Sequence, residues 1–393
     1  MYDFDKVIER RRTGCVKYDV PAPADNPDLI PMWVADMDFE VLPEIKDALK
    51  QRVDHGIFGY SFPTEDYYNS VVGWIDRRHN WKIEKDWIVP MPGVVPALRI
   101  CVQALTNPGD SVMIFKPVYY PFDKAVVESG RRLVEVPLKF EEGQYHLDLE
   151  AAEKAAKEND VKMIIFCSPH NPIGRVWTKE ELQVLGRFCL DHDIVLVSDE
   201  IHMDFTRNGH VHYPILDVMP ELAQSCVVCT APSKTFNLAA LQTSNIITPN
   251  PKFKEKLQKQ MSDNGVSSPN VLGLAACQAA YEHGDQWVDE LNAYLSGNVD
   301  YLSEWLKEHL PEARVVNPEG LYLIWVDFNC LGLEPKELEK FMLEEAGLWL
   351  DEGYIFGQGG EGFERFNVAC PRATLKKALD QLEQALTKRG FIK

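Results

Sequence analysis

The sequence predicts an α/β protein: a large domain with a mainly parallel sheet between helices, followed by a smaller α+β domain. Three observations predict it. Short apolar runs recur at residues 111–115, 163–167, 194–197 and 226–229. Helical periodicities lie between some of them, and strands alternating with helices give a mainly parallel sheet covered on both faces. After about residue 285 the pattern changes to long amphipathic stretches with an isolated strand-like segment.

Each element has a local reason. The four runs are short and apolar, as strands buried on both faces require. The clearest helix covers residues 178–192, where Thr178 and Glu181 form a capping box ahead of Leu182, Val184 and Leu185. Farther on, residues 286–310 read as a long amphipathic stretch, 321–328 as strand-like, 335–346 as a helix and 373–388 as a closing helix. With the first residues packing on this last part, the expected division is residues 44–285 for the large domain and residues 1–43 with 286–393 for the small one.

Composition narrows the function classes. A chain of 393 residues holds a large core. No stretch approaches the roughly 18 consecutive apolar residues of a membrane span. The start, Met1-Tyr2-Asp3-Phe4-Asp5-Lys6, lacks the basic and apolar blocks of a secretory signal, so a cytoplasmic location is expected. A net charge of −19 without a basic block argues against nucleic acid and anionic membranes as partners. Most of the nine cysteines lie in apolar runs, as buried thiols do in a reducing compartment. Cys226 and Cys229 have CxxC spacing, but no second pair completes a metal site, and no metal is expected.

The segment after each apolar run carries the chemistry. Residues 111–115 lead into Lys116-Pro-Val-Tyr-Tyr-Pro-Phe122, and residues 163–167 into Ser168-Pro-His-Asn-Pro-Ile-Gly174. Residues 194–197 end at Ser198-Asp199-Glu200, and 226–229 at Thr230-Ala-Pro-Ser-Lys234. In an open parallel sheet, ligands bind beyond the carboxyl ends of the strands. Four strand ends thus offer aromatic, amide, carboxylate and amine groups to one crevice.

Seven segments bring a family into view: Met32-Trp-Val-Ala-Asp-Met-Asp-Phe39, Gly56-Ile-Phe-Gly-Tyr60, Pro92-Gly-Val-Val-Pro-Ala97, Ser168 to Gly174, Ser198-Asp-Glu-Ile-His202, Pro232-Ser-Lys-Thr-Phe-Asn237 and Arg365-Phe-Asn-Val-Ala-Cys-Pro-Arg372. In their order and spacing they resemble fold-type I pyridoxal-phosphate enzymes, the aspartate aminotransferase superfamily. More closely, the chain is similar to the MalY/PatB group of cystathionine β-lyases, or cysteine-S-conjugate β-lyases. The resemblance implies a seven-stranded sheet of the PLP-dependent transferase kind and pyridoxal 5'-phosphate as cofactor. It also implies a small amino-acid thioether as substrate and a homodimer.

It assigns roles as well. Lys234 carries the cofactor as an imine and shuttles the substrate Cα proton; an amine in an apolar site near other cations can be neutral enough to do so. Asp199 pairs with the pyridine nitrogen, and the alternative for it is a helix cap. Asn171 bonds the phenolic oxygen, and the alternative is a turn residue. His202 lies near that oxygen or supports it from behind. Tyr119, with Tyr120 beside it, stacks on the ring. The phosphate falls to the backbone N–H groups of Val94 and Val95 at a helix start and to the Ser233 hydroxyl. Tyr60 reaches it from the neighbouring subunit. Arg365 grips the substrate carboxylate as a bidentate fork, while Arg372 is structural.

Two positions depart from the family pattern. Ala231 stands where many relatives have serine, and Gln242 where a cation is frequent, so the phosphate meets less formal positive charge. Gly357-Gln-Gly-Gly-Glu-Gly362 fits GxGxxG, but a strand-like segment comes after it where a dinucleotide site needs a helix, so a loop is expected. The expected reaction is β-elimination, giving a thiol, pyruvate and ammonia. The alternatives are an aminotransferase on the same site and a non-catalytic cofactor-binding regulator.

Overall fold

Seven strands build the central sheet: β1 (Ile88–Met91), β2 (Ser111–Lys116), β3 (Arg132–Pro137), β4 (Val161–Cys167), β5 (Val195–Asp199), β6 (Cys226–Thr230) and β7 (Ser244–Ile247). The computed structural model describes residues 2–22, 26 and 28–393. From edge to edge the strands run β1-β7-β6-β5-β4-β2-β3, and β7 alone opposes its neighbours. The expected mainly parallel, seven-stranded sheet is therefore present.

Both faces of the sheet are apolar, which is why its strands read as runs. Successive side chains point to opposite faces: Val112 and Ile114 join one buried cluster, Met113 and Phe115 the other. The helix at Lys179–Asp191 begins with the capping box foreseen for Thr178 and Glu181.

Four further strands, β8 (Arg314–Val315), β9 (Leu323–Asp327), β10 (Asp351–Glu352) and β11 (Phe363–Asn367), form an antiparallel sheet ordered β8-β9-β11-β10. Ile30–Pro31 pairs in parallel with Leu348–Trp349, tying the first residues to this part. The helix expected over residues 335–346 is α-helical only at Pro335–Lys340 and continues as a π turn at Phe341–Glu345. Phe341, Met342 and Leu343 are all buried. Three successive apolar residues exceed one α-helical stripe, and the wider turn accommodates them. Among the described residues, no helix is long and apolar enough to cross a membrane.

Candidate active site

The strand register sets the site. Asp199 pairs with Cys167 on one side and Cys229 on the other, so three parallel strands end level. Beyond these ends the chain turns. The carbonyl of Asn171 accepts from Tyr119 N at 3.1 Å, joining the turns after β4 and β2. Lys234 sits in a one-turn helix, Pro232–Thr235, entered by a proline that has no N–H to leave unpaired. Gly93 adopts φ 104° just before the helix Val94–Leu105, a conformation that favours glycine.

These turns enclose a cavity of about 260 Å³. Lys234, Asp199, Asn171, Tyr119 and His202 line it, and so do Ser233, Val94 and Val95. Arg365 does not line it but donates from Nη1 to Asn171 Oδ1 at 3.0 Å. Tyr60 is fully exposed and lies outside the cavity.

Burial sets the electrostatics. It lowers the pKa of the Lys234 amine, with help from the Arg365 charge and against Asp36 and Asp199. Burial raises Asp199 to about 7 against the Ile201 N–H and Lys234. His202 lies well below the usual histidine range because of burial, then the Lys234 and Arg365 charges. Burial also lifts the thiol of Cys167, which lines the cavity, so it is no nucleophile here.

The donor set fits pyridoxal phosphate. A buried carboxylate whose charged form is disfavoured suits a cationic ring nitrogen, which would restore its charge. His202 Nδ1 is buried without a hydrogen-bond partner. The first N–H groups of a helix are free by construction, and Val94 and Val95 present theirs at the cavity. Gln242 and Thr243, both neutral, line the same cavity, and Lys234 is the one lysine or arginine in the lining among the described residues.

Some contributors left no mark in the sequence. The Trp33 carbonyl accepts from Arg365 Nη2 at 2.8 Å, and Asp351 is ion-paired to the same nitrogen. A buried chain runs from Thr235 Oγ1 to Asp204 Oδ2 at 2.6 Å and from Asp204 Oδ1 to His79 Nε2 at 2.9 Å, anchoring the Lys234 turn. Asn237, beside that turn, bonds Met37 N at 3.0 Å and Met37 O at 2.9 Å, holding the N-terminal segment over the site. Of these, Trp33, Met37, Thr235 and Asn237 lie in motifs that draw notice, whereas His79, Asp204 and Asp351 do not. The GxGxxG segment is a turn leading into β11, and Cys226 and Cys229 are buried in β6.

Comparison with known proteins gives the family. The family model described as aminotransferase class I and II matches residues 27–382. Cystathionine beta-lyase PatB of Bacillus subtilis (strain 168) is 42% identical over 386 residues, covering 98% of this chain and 100% of PatB. The crystal structure of cystalysin from Treponema denticola, which contains pyridoxal 5'-phosphate, superposes with a TM-score of 0.95 at 39% identity, covering 99% of this chain and 100% of that one. The PLP-bound C-S lyase from Staphylococcus hominis gives a TM-score of 0.90 at 34% identity, covering 98% of this chain and 99% of that one. The chain therefore belongs to the aminotransferase class I and II family, in its PatB-type branch.

Proposed function

We propose that this chain is a pyridoxal-phosphate-dependent carbon–sulfur β-lyase, cleaving cystathionine or related cysteine thioethers to a thiol, pyruvate and ammonia. The observation that carries the reading is Lys234 and Asp199 lining one cavity with Asn171, Tyr119 and a free helix start. Similarity to proteins named as cystathionine beta-lyase and C-S lyase selects elimination over transamination.

When bound, pyridoxal phosphate supplies an electron sink for the pair left at the substrate Cα. Asp199 would hold its ring nitrogen, Asn171 and His202 its phenolic oxygen, and Tyr119 its face. Val94 N, Val95 N and Ser233 Oγ would hold its phosphate. Arg365 orients the substrate through its carboxylate. Lys234 Nζ, whose protonated form burial disfavours, takes the Cα proton. The N-terminal segment, tied at Met37 to Asn237, supplies Ala35 to the cavity wall. One water is consumed per turnover, giving pyruvate and ammonia.

The proposal extends to assembly and location. Ile57, Phe58, Tyr60 and Phe62 are exposed together, and such an apolar patch supports a homodimer in which Tyr60 completes the partner's site. Nine free cysteines, seven of them buried, support the cytoplasm. The division at residues 44–285 is supported by the central sheet falling inside it and the four-stranded sheet outside.

Purified holoenzyme given L-cystathionine, L-cysteine or L-serine tests the reading. Pyruvate release in step with thiol from the sulfur substrates is the expected result. A new amino acid formed from an added 2-oxo acid, without pyruvate or thiol release, would establish the aminotransferase instead.

A further inference from the structure

Arg365 carries more than its expected task. Its Nη1 is bonded to Asn171 and its Nη2 to the Trp33 carbonyl, so the end of the fork is occupied. The remaining edge is formed by Nε and Nη2, the second pair of parallel donors that a carboxylate can bridge. Nε is buried and has no hydrogen-bond partner, whereas Nη2 is ion-paired to Asp351 Oδ2. Both side chains are almost entirely buried. Asp351 thus fills half of an edge that suits a bridging carboxylate and leaves the other half open.

The backbone holds this arrangement. Asp351 and Arg365 are direct cross-strand partners on β10 and β11, so the acid is fixed opposite the guanidinium. A carboxylate arriving at Arg365 meets Asp351 directly, and two ionised carboxyls at one site repel.

We propose that Asp351 is a resident competitor for Arg365, displaced by the carboxylate of an amino-acid substrate and returning as pyruvate leaves. This rests on the reading that Arg365 takes the substrate carboxylate. An amino acid brings a second anchor in its amine, enough to displace Asp351, whereas a simple acid or pyruvate has only its carboxylate. The residue therefore sets specificity for ligands bearing both groups and assists release of a product that has lost one.

The test uses 3-(methylthio)propionate, the skeleton of a thioether substrate without its amine, titrated calorimetrically into holoenzyme. Asp351→Asn and Asp351→Ser, both without the charge, are expected to bind it about tenfold more tightly or better, the size of one charge-assisted hydrogen bond. Asp351→Glu is expected to keep the weak binding of the wild type. Pyruvate is expected to become a stronger product inhibitor by a similar factor in both neutral variants. Unchanged or weaker binding in both would overturn the proposal and make Asp351 a positioning residue for Arg365. In Arg365→Ala the acid's binding is expected to be lost. If that variant binds as wild type does, the carboxylate is not at Arg365, and the reading of the site fails separately.

Discussion

Asp199→Asn separates what the active site needs from what the fold prefers. In the cofactor-free protein, burial raises this carboxyl from its ordinary 3.8 to about 7. Each pKa unit corresponds to about 1.4 kcal/mol, so ionised Asp199 destabilises the folded chain by about 4 kcal/mol. The sign is set by a folded pKa above the unfolded one. The stabilising contribution is whole below about pH 4, falls as pH rises, and is gone above about pH 7. Asparagine has no proton to lose and keeps that contribution throughout. At an unfolding entropy of about 2.1 cal/mol/K per residue, 4 kcal/mol in a chain of this length is a Tm difference of about 5 °C. Thermal unfolding of both cofactor-free proteins, followed by circular dichroism at pH 4 and pH 8, measures it. The two should melt within about a degree of each other at pH 4, with the variant about 5 °C higher at pH 8. A variant that melts at or below wild type at pH 8 refutes the reasoning, because Asp199 would then be held ionised by the protein alone. The same variant should lose nearly all pyruvate formation, since a neutral amide does not keep a ring nitrogen protonated.

The same geometry sets further outcomes. Lys234→Ala is expected to abolish pyruvate formation from cystathionine, and retained turnover would count against Lys234 as the proton carrier. Gln242→Arg adds a cation to the cavity lining and should lower the dissociation constant for pyridoxal phosphate about tenfold, read by equilibrium dialysis. Thr235→Val removes the donor to buried Asp204 and should reduce stability by about 1–3 kcal/mol, seen as a lower Tm. Mixing inactive Lys234→Ala with Tyr60→Ala subunits should restore up to about a quarter of the wild-type sites by random pairing, because each mixed dimer regains one intact site. No recovery of activity on mixing would place Tyr60 outside the partner's site.

Local chemistry made much of this protein legible from its residues in order. Apolar runs of strand length, the capping box at Thr178 and the turn-forming motifs after each run depend on neighbours a few positions apart. They located four of the seven strands of the central sheet, the helix Lys179–Asp191 and the turns bearing Asn171, Asp199 and Lys234. The placement of Lys234, Asp199, Asn171 and Tyr119 at one cavity obeys the rule that parallel strands open their binding crevice at a shared end. Other features depend on pairings between residues far apart. The π turn at Phe341–Glu345 arises because three neighbouring side chains all find the core. Asp351 meets Arg365 only through the register of two short antiparallel strands, and slipping that register by one residue would turn the acid to the other face. His79 reaches the Lys234 turn through Asp204, from a helix well over a hundred residues earlier in the chain. Spacing along a chain encodes period and turn chemistry, whereas the depth of burial that tunes Lys234 and Asp199 exists only once the layers have packed.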